Sequence, residues 1–303
     1  MLRWFAFALL VAAPLPAVAA EPPAIPYTLK NDVTFATIDN EKLQLDLAIP
    51  TGEGPHPCVV CFHGGAWKIG SRKHLSQPTR MMDVGTPGKS LLDVYVSQGF
   101  VAVSVSYRLA PASKFPAQIR DAKTAVRFLR ANAKEYHIDP DRIAALGFSA
   151  GGHLAALLGT AENVTEFEGD LYPEQSSRVQ CVVDFFGPAD LTLYGETPGI
   201  EKSFMVPFLG GPSKEKIELY KRASPLEHVS KNAPPFLIIH GTADILVPII
   251  HSERLHEKLT AAGVKSELVP IRGGGHGWGG EVSRRTIALS LKFLTEHLVK
   301  KGK

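Results

Sequence analysis

Residues 147–152 read Gly-Phe-Ser-Ala-Gly-Gly, and no other stretch limits so tightly what this chain can fold into. The apolar run Arg142-Ile143-Ala144-Ala145-Leu146 precedes it with the character of a buried strand, and residues 150–158 follow with the character of a helix. Ser149 therefore falls at a strand-to-helix turn, where its side chain is forced outward and is placed to act as a nucleophile. Gly147 and Gly151, two residues to either side, let strand and helix pack closely. The five-residue pattern alone also fits a serine that caps an Ala-rich helix. The strand before it and the helix after it favour the nucleophile.

The first twenty residues carry one cation, Arg3, then an apolar run over 4–13 and small residues ending Ala17-Val18-Ala19-Ala20, the layout of a secretory signal peptide. Pro14 and Pro16 break the run well short of the ~20 apolar residues that a membrane span needs. Residues 1–20 are thus expected to be removed and the remainder exported, to the periplasm or the exterior, without membrane association after cleavage. Residues 21–303 are expected to form a single domain with one large core. The formal net charge of +3 falls to +2 without Arg3, and the short tail Lys300-Lys301-Lys303 is the one basic cluster, so nucleic acid is not expected as a partner. Cys58, Cys61 and Cys181 are odd in number. Cys58 and Cys61 lie three apart in an apolar run that reads as a strand, so they face opposite ways and are expected as buried thiols, not as a disulfide or metal ligands.

Along the chain, 33–38 and 43–49 flank the turn signal Asp39-Asn40 and read as an antiparallel pair at a sheet edge. Residues 58–62 have the continuous apolar character of a strand covered on both faces. Further strands are expected at 101–105, 142–146, 179–186, 236–240 and 267–271. Helices are expected at 91–98, 116–134 and 150–158, around 255–259, and along the C-terminal stripe Ile287, Leu291, Leu294, Leu298. Residues 68–89 read as an irregular excursion. Residues 188–235 read as an inserted helical flap carrying Phe204, Met205, Phe208 and Leu209. Strands alternating with helices predict a mostly parallel sheet with helices on both faces.

A serine hydroxyl needs a neighbouring base to become nucleophilic at neutral pH. Of eleven histidines, His276 is best placed, in the Gly-rich loop Gly273-Gly274-Gly275-His276-Gly277-Trp278 between the 267–271 strand and the terminal helix. His153 lies on the nucleophile's own helix and is expected to pack or hydrogen-bond near the site; His63 is expected to hold its loop in shape, and His240 and His251 to be structural or surface residues. An imidazole base needs an acid to fix its tautomer. Asp244 leads, because it follows the 236–240 strand at its C-terminal end, where catalytic groups gather in open α/β sheets. Asp190, which can instead cap the segment after it, and Asp184 follow. His63-Gly64-Gly65-Ala66 after a buried strand, with the N–H of Ala150, offers backbone donors for a developing oxyanion.

His63-Gly64-Gly65-Ala66-Trp67, Ser106-Tyr107-Arg108-Leu109-Ala110-Pro111, Phe115-Pro116-Ala117-Gln118-Ile119-Arg120-Asp121-Ala122, the Ser149 motif, His240-Gly241-Thr242-Ala243-Asp244 and His276-Gly277-Trp278 together resemble the α/β-hydrolase superfamily. The resemblance covers residues 33–298 and is nearest to the branch of hormone-sensitive-lipase-like esterases and bifunctional acetylxylan and feruloyl esterases. It implies an α/β-hydrolase fold with Ser149 as nucleophile, Asp244 as acid and His276 as base. The N–H groups of Gly65, Ala66 and Ala150 would form the oxyanion hole, and neither metal nor organic cofactor is implied. Ala66 stands where the lipase-like enzymes usually carry a third glycine, and Phe148 where they carry an acidic residue; both favour the xylan-esterase-like branch. The expected protein is an exported serine carboxylester hydrolase with a small-molecule or polysaccharide ester as its partner, acting on acetyl or feruloyl esters or other short acyl esters. Trp67 and Trp278 are candidate substrate contacts. Formamidase or peptidase chemistry on the same triad, and a non-catalytic binding protein of this fold, are the alternatives.

Overall fold

A computed structural model describes residues 25–79, 83–162 and 164–299 of the 303-residue chain; the expected signal peptide, 1–20, lies outside the described residues. Asp39 and Asn40 both take left-handed backbone, φ 50° and 65°, which suits a tight hairpin. They turn β1 (Tyr27–Ile38) back on β2 (Glu41–Pro50) as an antiparallel pair at one sheet edge. β2 pairs antiparallel with β4 (Val101–Val105). From there every pairing is parallel, through β3 (His56–Phe62), β5 (Ile138–Phe148), β6 (Val182–Phe185), β7 (Phe236–Gly241) and β8 (Ser266–Ile271). The eight strands run in the order β1-β2-β4-β3-β5-β6-β7-β8. This is the mostly parallel sheet of an α/β-hydrolase fold.

The helices are α1 (Lys73–Ser76), α2 (Leu91–Val96), α3 (Ala117–Ala131), α4 (Ala150–Thr160), α5 (Pro198–Ile200), α6 (Val206–Leu209), α7 (Ser213–Arg222), α8 (Ile250–Ala261) and α9 (Gly280–Leu298). Alternation along β3 sorts them into two layers. Cys58, Val60 and Phe62 pack with Ile119, Leu154 and Leu255 from α3, α4 and α8, whereas Val59 and Cys61 pack with Leu92 and Leu294 from α2 and α9. Side chains that alternate along a strand must serve opposite faces. Each fully buried aliphatic or aromatic side chain adds about 1.5–3 kcal/mol to this two-sided core. All three cysteines are buried and unpaired.

Several boundaries differ from the sequence expectation. β5 starts at Ile138, ahead of the 142–146 run, because Ile138 pairs with His56 on β3. β6 is shorter than 179–186, and among the described residues of the 68–89 excursion there is one helical turn, α1. The 188–235 segment is helical in short pieces: 3₁₀ turns at Leu191–Glu196 and Pro225–His228, α5, a π-helical turn at Glu201–Met205, α6 and α7. Among the described residues, no helix is long and apolar enough to cross a membrane.

Candidate active site

Ser149 sits between β5 and α4 with φ 55° and ψ −119°, a region that non-glycine residues rarely occupy and that costs about 1–3 kcal/mol. Two close approaches enforce it. A Cβ on Gly147 would lie 2.1 Å from the Gly151 carbonyl oxygen, and one on Gly151 would lie 2.1 Å from that of Phe62. The Ser149 N–H donates to the Phe185 carbonyl at 2.9 Å, which ties the turn to the end of β6.

His276 and Asp244 arrive on neighbouring loops at the ends of β8 and β7. The loops are joined by the N–H of Thr242 to the Ile271 carbonyl (3.0 Å), the N–H of Ala243 to the Gly274 carbonyl (2.9 Å) and the N–H of Gly273 to Thr242 Oγ1 (2.9 Å). This brings His276 Nδ1 to 2.7 Å from Asp244 Oδ2 and His276 Nε2 to 2.9 Å from Ser149 Oγ. An ionised Asp244 accepts the Nδ1–H, which leaves the Nε2 lone pair free for the serine proton. Burial pushes the Asp244 carboxyl up, but hydrogen bonds from His240 and His276 and from the Val247 N–H outweigh it and hold the group well below the usual carboxylate range.

The loop after β3 carries the other expected groups. Gly65, Ala66 and Trp67 take φ of 117°, 51° and 57° in succession, and Gly65, Ala66 and Ala150 line the same cavity as Ser149. Among the described residues, the N–H groups of Gly65 and Ala66 donate to no protein acceptor. Ala150 opens α4, where N–H groups have no intrahelical partner. Successive left-handed residues with unspent donors are what a site for a negatively charged oxygen requires. His63 does hold this loop: its ring stacks on Tyr107 at 4.3 Å, and Tyr107 Oη donates to the His63 carbonyl at 2.9 Å.

The remaining candidates fall elsewhere. His153 accepts from Trp67 Nε1 (3.2 Å) and donates through Nε2 to the Ala223 carbonyl (2.7 Å), and burial lowers its pKa to about 4. Asp190 caps the Leu191–Glu196 turn and pairs with Arg254 at 2.6 Å. Asp184 is buried under the first turn of α4, with Oδ1 accepting the Gly187 N–H at 2.8 Å and Oδ2 without a partner in the described residues. Trp67 is only 2 % exposed and stacks on Phe208 at 4.2 Å, so just part of its surface reaches the cavity. Trp278 is half-buried, with its Nε1 donating to Thr286 Oγ1 at 2.9 Å and its ring 5.3 Å from Phe186, which in turn sits 5.0 Å from His276. His240 and His251 are both buried; neither is a surface residue.

The cavity in front of Ser149 measures about 520 Å³, within the usual range for a small-molecule site. Trp67, Tyr194, Phe204 and Met205 wall one side, from the layer holding α3, α4 and α8; Leu75, Phe186, Trp278 and Ile287 wall the other. Lys68 is its one lysine or arginine among the described residues, and its Nζ donates to the Ser203 carbonyl at 2.9 Å. No group of three or more His, Cys, Asp or Glu able to hold a metal occurs among the described residues. A serine hydroxyl against an imidazole whose other nitrogen meets a carboxylate, with unspent backbone donors in a largely apolar cavity, suits attack on an uncharged carbonyl.

Known proteins are similar to this chain in both sequence and shape. The BD-FAE family model matches residues 45–259. Esterase LipC of Mycobacterium tuberculosis is 33% identical over 231 residues, which is 74% of this chain and 53% of the relative. The chain spans about half the length of the curated relatives it matches. A truncated carbohydrate esterase from gut microbiota superposes with a TM-score of 0.75 at 29% identity, covering 92% of this chain and 100% of the other. An acetyl ester-xyloside bifunctional hydrolase from Caldicellulosiruptor lactoaceticus gives a TM-score of 0.71 at 26% identity, covering 90% and 97%.

Proposed function

The chain belongs to the BD-FAE family, and from that membership and the geometry around Ser149 we propose that it is a serine carboxylester hydrolase working through an acyl-enzyme. The observation that carries this is the continuous path from Ser149 Oγ through His276 to Asp244, 2.9 Å and then 2.7 Å. Ser149 attacks the ester carbonyl as His276 Nε2 takes its proton, and the negative charge on the carbonyl oxygen is met by the N–H groups of Gly65, Ala66 and Ala150. Removing one such donor typically slows acyl transfer by roughly 10²–10³-fold. The imidazolium, held by Asp244, then gives its proton to the departing alcohol oxygen. A water activated by the same ring releases the acid and restores the serine.

For substrate we propose acetyl or feruloyl esters of polysaccharide, or other short acyl esters, with Trp67 and Trp278 contributing contacts. Structural relatives named as a carbohydrate esterase and an acetyl ester-xyloside hydrolase support that direction. Export, to the periplasm or the exterior, is proposed from the charged, apolar and small-residue order of residues 1–20.

The test is hydrolysis of p-nitrophenyl acetate and longer acyl esters, methyl ferulate, acetylated xylan and N-formylkynurenine by residues 21–303 and by Ser149→Ala. Turnover of acetylated xylan or methyl ferulate, lost in the variant, is the expected result. No Ser149-dependent turnover anywhere in the panel would overturn the hydrolase reading.

A further inference from the structure

His240 lies near the end of β7, four residues before Asp244, and is fully buried. Its Nε2 is 2.7 Å from the Val247 carbonyl oxygen and 3.4 Å from Asp244 Oδ2. Its Nδ1 is 2.6 Å from Ser252 Oγ. A carbonyl only accepts, so Nε2 carries a proton and donates it to Val247, while Nδ1 shares a hydrogen bond with the Ser252 hydroxyl. Val247 is engaged twice. Its N–H donates to Asp244 Oδ1 at 2.9 Å, beside that of Leu246 at 2.9 Å, while its carbonyl is held by His240. The acid therefore has two N–H donors on Oδ1, and His276 with the edge of His240 on Oδ2. His240 does not line the cavity, and the Phe186 ring lies against both it and His276, at 6.4 Å and 5.0 Å.

We propose that His240 is a positioning residue for the acid: its single Nε2–H clamps the Asp244–Val247 loop and holds Oδ2 in register with His276 Nδ1. The proposal rests on the reading of Asp244 as the acid of a hydrolase. A carboxylate free to turn would present Oδ2 to His276 only part of the time, and a buried Val247 carbonyl without its donor would pull the loop toward other partners.

Three variants of the full chain test this. His240→Leu removes the donor, His240→Gln keeps an N–H at the reach of Nε2, and His240→Asn keeps one only at the reach of Nδ1. For His240→Leu we expect kcat on p-nitrophenyl acetate to fall about ten- to a hundred-fold, as when an outer partner of an active-site group is lost. KM should stay within about two-fold, because substrate binding is untouched. His240→Gln should regain most of the rate and His240→Asn should not.

The second readout is the low-field proton resonance of the His276 Nδ1–H bonded to Asp244, expected to persist in His240→Gln and to move upfield or vanish in His240→Leu and His240→Asn. It needs no turnover, so a wild-type protein that hydrolyses no ester would sink the hydrolase reading while the clamp is still decided. A folded His240→Leu with wild-type kcat and an unchanged resonance overturns the proposal. Should that variant not fold, His240→Asn matching His240→Gln in both readouts overturns it equally.

Discussion

Ser149 Oγ lies 2.9 Å from His276 Nε2 across 127 residues of sequence, and the same imidazole reaches Asp244 Oδ2 at 2.7 Å, 32 residues back along the chain. A ring held on both nitrogens has one useful tautomer, with the proton on Nδ1. Asp244→Asn offers the ring an amide donor and so favours the opposite tautomer. We expect kcat to fall about 10⁴-fold with the fold intact, as when the acid of such a triad is neutralised. Steady-state kinetics beside a thermal melt would check both halves; a loss under about ten-fold would show that Asp244 does not set the tautomer.

Asp184 gives a stability prediction. Burial, countered in part by the Gly187 N–H, raises its pKa to about 6, above the value near 4 of an exposed aspartate. The stabilisation from keeping this group neutral is complete below about pH 4 and is lost as pH rises through about 6. Asp184→Asn keeps an acceptor for Gly187 and never ionises. It should match the wild type near pH 4 and be more stable near pH 8, by on the order of 2–3 kcal/mol. Denaturant melts at the two pH values read this directly, and an equal difference at both would refute it.

The turn that carries Ser149 makes a steric prediction. Gly147→Ala places a methyl group 2.1 Å from the Gly151 carbonyl oxygen, backbone against backbone, with no flexible neighbour to yield. Overpacking of this kind costs about 1–3 kcal/mol where side chains can adjust. Here we expect at least the upper end, with loss of soluble protein or of fluorophosphonate labelling at Ser149. An alanine variant that is fully stable and labels normally would contradict the close packing of β5 on α4.

Lys68 links the loop after β3 to the flap segment that lines the cavity. Its ammonium bonds to the Ser203 carbonyl at 2.9 Å and lies 5.9 Å from the centre of the Phe204 ring, so the loop after β3 is tied to the π-helical turn. One hydrogen bond of this type is worth about 1 kcal/mol. Lys68→Met should therefore raise KM about five-fold for esters large enough to touch Phe204 and Met205, with kcat little changed. Comparing p-nitrophenyl acetate with a bulky aryl ester would show the difference, and equal KM effects on both would exclude the tether.

Much of this was legible from the residues alone, where the physics is local. The turn at Ser149 was readable because glycines two before and two after a serine leave few alternatives to a tight strand-to-helix crossing. The opposed placement of Cys58 and Cys61 followed from strand alternation, and the hairpin from Asp39-Asn40. Its place at the end of β7 favours Asp244 over Asp190 and Asp184, and the structure puts it alone of the three against His276.

Other features had no local signal. β5 reaches back to Ile138 because His56 pairs with it there, and pairing between distant segments does not show in hydrophobic period. The 188–235 pieces are too short for a periodic stripe; their positions come from contacts such as Phe208 on Trp67. From the sequence His240 reads as structural or surface, because nothing in one residue's surroundings along the chain reveals that its ring meets both Val247 and Asp244.

The sequence by itself determined which groups could do chemistry and at which strand ends they would sit, since glycine placement, strand alternation and helix stripes act over a few residues. Only the tertiary structure decided which of those groups touch. A distance of 2.7 or 2.9 Å between loops far apart in sequence depends on the order and register of eight strands and on hydrogen bonds between the loops themselves. Those are properties of the assembled sheet and of no single segment.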